Sequence, residues 1–143
     1  PTLRSQILSE LGNQNGIPTI GSGGRFPVLL SNIPGNLGNV DFKVGVHNAV
    51  GGAPSTLVLG MAPGLSQLTG VWINLSFSGS ELLIPWTLSG PAGVAGAGYG
   101  TVRVVLPSAP SLAGLALYSQ WFVWDGGAPA GAAATRGGRL DLF

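Results

Sequence analysis

Three segments of the chain alternate apolar and polar residues with the period of two that marks a half-buried β-strand. Residues 40–49 set Val40, Phe42, Val44 and Val46 on one face against Asp41, Lys43, Gly45 and His47 on the other. Residues 101–107 set Val102, Val104 and Leu106 against Arg103 and Val105. Residues 115–125 set Leu117, Ser119, Trp121 and Val123 against Tyr118, Gln120, Phe122 and Trp124. This last segment carries large apolar groups on both faces, so it is expected to be covered on both sides. Short apolar runs predict further strands over 26–31, 55–61, 71–78, 81–88, 130–136 and 139–143. Turn clusters separate them at 34–36, 51–54, 90–91 and 126–127. About nine short strands predict an all-β chain, an antiparallel β-sandwich of immunoglobulin-like or jelly-roll type.

Residues 1–20 read differently and divide the chain into an N-terminal assembly arm and a sandwich domain over 21–143. Thr2 can cap a helix whose stripe is Leu3, Ile7 and Leu11, with Leu8 beside it and Gly12 as the stop. The even spacing of Leu3, Ile7 and Leu11 also fits a strand; a short helix is the favoured form. Residues 13–16 then read as a turn. In either form the arm has an apolar face to dock on something.

Charge changes the picture most. Lys, Arg, Asp and Glu make up 8% of the chain, against a usual share of about 25%. Hydrophobic residues stand at an ordinary 45%. A surface so poor in ions must present Gly, Ser, Thr, Asn, Pro and apolar side chains, and large exposed apolar patches mark interaction sites. Other protein chains or covalent glycans are the expected cover. Membrane lipid fits poorly, because no run of about 18 apolar residues is present and Gly and Pro interrupt segments that a membrane β-barrel would need. Six scattered basic residues and a net charge of +1 do not form the basic stripe that nucleic acid requires. The absence of cysteine excludes disulfides, thiolate catalysis and zinc–thiolate sites. Pro1 in place of a methionine is what a processed, mature N-terminus would leave, and so is a trimmed chain.

Candidate chemistry is sparse, so neither an enzyme nor a bound cofactor is expected. His47 is the sole histidine and has no adjacent serine elbow. The acids Glu10, Asp41, Glu81, Asp125 and Asp141 are not clustered in sequence. Asp125 before Gly126 and Gly127 reads as a turn aspartate rather than a calcium ligand, since no further acid follows at loop spacing. The glycine run at 96–100 lacks the ending of a phosphate loop and is expected to be a flexible hairpin connection. Asn74, Leu75 and Ser76 match the N-glycosylation pattern, which makes Asn74 a candidate site. Trp72, Trp86, Trp121 and Trp124 are core or interface anchors, or alternatively a platform for sugar rings.

Residues 21–143 also resemble a domain of secreted bacterial proteins, planctomycete-like ones especially. The matching stretches are NLGNVDF at 36–42, GGAPSTLVLG at 51–60 and the tail from Pro107, with LAG followed by LYSQW and Asp125. Members usually have proline after that aspartate and a cysteine pair; here Gly126 follows and there is no cysteine. The resemblance implies a secreted β-sandwich in surface or adhesive roles and brings no catalytic residues. Together these readings give a secreted or cell-surface structural subunit that associates with copies of itself through Leu3, Ile7, Leu8 and Leu11 and its apolar sandwich surface. The alternative is a carbohydrate-binding or adhesive cell-surface module.

Overall fold

The computed structural model describes residues 14–32 and 36–143. Eleven strands occur among them: β1 (Gln14–Asn15), β2 (Val28–Ser31), β3 (Lys43–Ala49), β4 (Pro54–Gly60), β5 (Pro63–Leu68), β6 (Val71–Leu75), β7 (Leu82–Thr87), β8 (Gly98–Arg103), β9 (Ala116–Trp124), β10 (Ala132–Ala134) and β11 (Gly137–Asp141). Every pairing is antiparallel. The large sheet runs β1-β11-β9-β4-β7, with β10 also on β9, and the small sheet runs β2-β3-β8. The all-β sandwich expected from the alternation is therefore the fold.

The core lies between these two sheets. Leu29, Phe42, Val44, Val46 and Val102 come from the small sheet and the segment leading into it. Leu57, Leu59, Trp121, Val123 and Leu140 come from the large one. Register explains the sorting. Leu57 pairs with Trp121, Leu59 with Ser119 and Ser55 with Val123, so the residues at odd positions of β4 and β9 point inward together. Trp121 sits fully buried among them.

Two strands escape the sequence pattern. Pro63 and Gly64 resemble the start of a turn, yet they open β5, whose residues are nearly all exposed and so carry no apolar period. Gln14 and Asn15, read as part of a turn, pair instead with Gly138 and Gly137. The glycine run at 96–100 is likewise only half a loop. Gly98, Tyr99 and Gly100 begin β8, because the segment from Ser89 onward crosses from one sheet to the other and Ser89 bridges to Tyr99. The helix considered over residues 2–11 lies outside the described residues.

The β5–β6 hairpin adds a partial third layer. Its two-residue connection is Thr69 and Gly70, both at positive φ (49° and 88°), the geometry of a type I′ turn. β6 lies against β9, β10 and β11, on the side of the large sheet away from the core.

Candidate assembly surface

What holds the hairpin upright is a set of buried amides. β6 pairs with β5 on one edge, which leaves backbone groups of Trp72 and Asn74 unpaired on the other. Side chains satisfy them. The Asn74 N–H donates to Gln120 Oε1 (2.8 Å), the Trp72 carbonyl accepts from Gln120 Nε2 (3.0 Å), and the Trp72 N–H donates to Thr19 Oγ1 (2.8 Å). Gln120 Nε2 also donates to the Thr135 carbonyl (2.9 Å). Asn74 continues the network: its Oδ1 accepts from the Ile17 N–H (3.0 Å) and its Nδ2 donates to the Ile17 carbonyl (3.0 Å). Buried polar groups must be paired, since an orphan costs about 1–3 kcal/mol. Gln120 and Asn74 meet that condition while fully buried.

The alternation groups Gln120 with Tyr118, Phe122 and Trp124 on the face opposite Trp121, and the structure puts it there. That face is covered in part by β6, in keeping with the cover expected on both sides of this strand. Gly16 makes room for the network: at φ 78°, a Cβ there would fall 2.1 Å from Asn74 Oδ1. Residues 14–20 are thus woven into the sheet, with Thr19 also bridging to Ala134. Asn74, the candidate glycosylation site, is the buried centre of this network. Its Nδ2 is buried and already donates to Ile17, so a glycan on that atom would break the network and find no space.

Because the hairpin stands on the sheet, wall and floor meet in a groove of about 350 Å³. Leu68, Val71 and Ile73 form the wall; Thr56, Val58, Leu83, Phe122 and Trp124 form the floor. Cross-strand register puts Val58 beside Gln120 and Leu83, and Thr56 beside Phe122, all on the outer face. Gly70 at the hairpin tip approaches Ala130 and narrows one end. No lining residue is charged. Leu68 (64%), Leu83 (58%), Phe77 (54%) and Trp124 (63%) are open to solvent. A folded chain rarely leaves such large apolar groups contiguous and bare without a partner for them.

The edge of this face is guarded at one strand. β7 is the outer strand of the large sheet. The Leu88 N–H bonds to the Ala53 carbonyl, so alternation makes Trp86, Ile84 and Leu82 the bonded positions and turns Thr87, Pro85 and Leu83 outward. Proline, which has no N–H, stands at one of the outward positions. It therefore loses no ladder bond and interrupts the row of donors that a foreign strand would need.

The remaining candidates fall elsewhere. Trp121 is core, Trp72 half-buried on β6, and Trp86 leans over Gly100 at the margin between the two sheets. Trp86 and Trp124 are exposed but lie on opposite faces of the large sheet, and do not form one aromatic row. His47 is exposed on the outer face of the small sheet, where it lines a depression of about 510 Å³ together with Lys43, Gly45, Tyr99 and Thr101. Asp125 is buried and accepts from the Ser22 N–H (2.7 Å), the Ser22 hydroxyl and the Gly127 N–H (3.1 Å). It thereby pins the start of the domain to the turn after β9. Asp141 pairs with Arg139 at 3.0 Å on the surface. Glu81 accepts from Ser78 and Gly79, and the Ser78 N–H foremost holds its carboxyl below the ordinary value. No group of three His, Cys, Asp or Glu gathers among the described residues, and no helix there is long and apolar enough to cross a membrane. Leu3, Ile7, Leu8 and Leu11 lie outside the described residues. No protein family model, curated protein or solved structure matches the chain.

Proposed function

We propose that this chain is a structural subunit of an extracellular filament or surface assembly, built from copies of itself. The observation that carries the reading is the uncharged groove and its bare apolar rim on the outer face of the large sheet. Burying that face against another copy removes it from water without requiring ions. The chain has few ions to offer. The arm supplies a second apolar surface: fully burying Leu3, Ile7, Leu8 and Leu11 would contribute on the order of 6–12 kcal/mol gross, before the cost of association. Location outside the cell follows from the resemblance to secreted surface domains. Glycans, if attached, would sit on exposed loop hydroxyls rather than on Asn74.

The carbohydrate-binding alternative has less support, because its expected row of exposed indoles is split between two faces. The test is serine substitution of Leu3, Ile7, Leu8 and Leu11 together in the full chain, with negative-stain microscopy and thermal melting as readouts. Ordered assemblies of the native chain should disappear while the melting transition stays. Assemblies that persist would overturn the role given to the arm.

A further inference from the structure

We infer that the groove between the β5–β6 hairpin and the outer face of the large sheet receives the N-terminal segment of a second copy, residues 1–13, so that copies join head to tail. The inference rests on the assembly reading above and adds to it the receptor, the occupant and the direction.

The direction comes from register. Gln14 pairs with Gly138, and Gly138 pairs with Ser119; Asn15 pairs with Gly137, one step further toward the Gln120 level. Followed backward from Gln14, the strand therefore points toward the level of Tyr118, Leu117 and Ala116. The groove lies at the opposite end of β9, at Phe122 and Trp124, roughly 10 Å beyond Ser119 at about 3.3 Å per residue. At Gln14 the backbone thus points away from the groove of the same chain. To fill that groove residues 1–13 would have to reverse, whereas the groove of a copy lying ahead would be in line with them. Fully extended, they reach about 45 Å, enough to cross onto a neighbour.

Chemistry fits the same pairing. The groove offers aliphatic and aromatic walls with no charge. The segment brings four aliphatic side chains at Leu3, Ile7, Leu8 and Leu11, and its two charges, Arg4 and Glu10, stand between them. On a helix Leu3, Ile7 and Leu11 would share one stripe with Leu8 beside it; Glu10 would flank that face, and Arg4, which falls between Leu11 and Leu8, would lay its aliphatic stem on the groove and reach water with its guanidinium. A site on one surface and its complement on another make a heterologous contact, which propagates as a filament or closes as a ring.

The test uses the full chain. A photo-reactive phenylalanine analogue replaces Leu8 in unlabelled protein, which is mixed with ¹⁵N-labelled protein, irradiated, and mapped by mass spectrometry. Links between light and heavy chains should concentrate on the groove, at Val58, Leu68, Ile73, Phe122 and Trp124. Adding Leu68→Arg to the heavy chain, at a position exposed enough to leave folding intact, should lower the yield about tenfold or more, since a charge facing an apolar stripe goes unpaired. Assemblies whose links fall elsewhere would overturn this inference and leave the assembly reading standing. Links confined within single chains would overturn it too. Chains that sediment as single copies would remove the assembly reading and this inference together.

Discussion

Replacing Gln120 by alanine asks whether the hairpin wall is held by the buried amide network. The change removes the acceptor for the Asn74 N–H, which is buried, and one donor each for the Trp72 and Thr135 carbonyls. Thr135 keeps only a long contact from Asn74 Nδ2 at 3.4 Å. An orphaned buried N–H costs about 1–3 kcal/mol and each lost carbonyl bond about 1 kcal/mol, so the expected loss is about 3–5 kcal/mol. Total stability of a domain is about 5–15 kcal/mol, so the loss is easily measured. Urea unfolding followed by tryptophan fluorescence reads it, because Trp72 and Trp121 sit on the two sides of the network. Combining Gln120→Ala with Asn74→Ala should cost less than the two single changes added, as expected for partners in one network. Amide exchange should also rise first in β5 and β6. A loss below about 1 kcal/mol, with exchange in the hairpin unchanged, would refute the claim that these side chains replace a neighbouring strand.

Three further outcomes follow from single features. Thr69 is β-branched yet sits at φ 49° in the hairpin turn; Thr69→Asn should raise stability by about 1 kcal/mol in urea unfolding, and no gain would mean that the strain is absent. Pro85→Val restores an outward N–H on β7, so light scattering on storage should increase while the melting transition moves by no more than about 0.5 kcal/mol in equivalent stability; unchanged scattering would remove the guarding role. The Glu81 carboxylate accepts from Ser78 and Gly79 and titrates below its ordinary value of 4.5. Its contribution to the loop before β7 is therefore present above that pH and lost as pH falls through the lowered folded value. An NMR titration midpoint at or above 4.5 would contradict this.

Much of the sandwich was legible because its core strands alternate. Phe42 just before β3, Val44 and Val46 on β3, and Leu117, Ser119, Trp121 and Val123 on β9 face the core as the period of two requires. Val40 breaks the pattern by being exposed. There the Asp41 N–H bonds to Asn39 Oδ1, an Asx turn that ends the alternation before the strand starts. β5 was illegible because a strand standing off the sheet buries little and needs no apolar period. The bare apolar face was legible only in outline. Scarce charge announces that some surface must be covered, but not which one. Cover on both sides of β9 was legible from its large apolar groups, and under such cover Gln120, a lone amide between Tyr118 and Phe122, needs buried partners. Its partners, at Asn74 and Trp72, lie more than forty residues away, and nothing local identifies them.

The central claim is that the bare outer face of the large sheet is covered by another copy. Sedimentation equilibrium of the native chain over a wide concentration range tests it most directly. The account predicts species at multiples of 14.4 kDa that dissociate when Leu68 is changed to arginine. A single 14.4 kDa species at the highest soluble concentration, unaffected by that change, would contradict it.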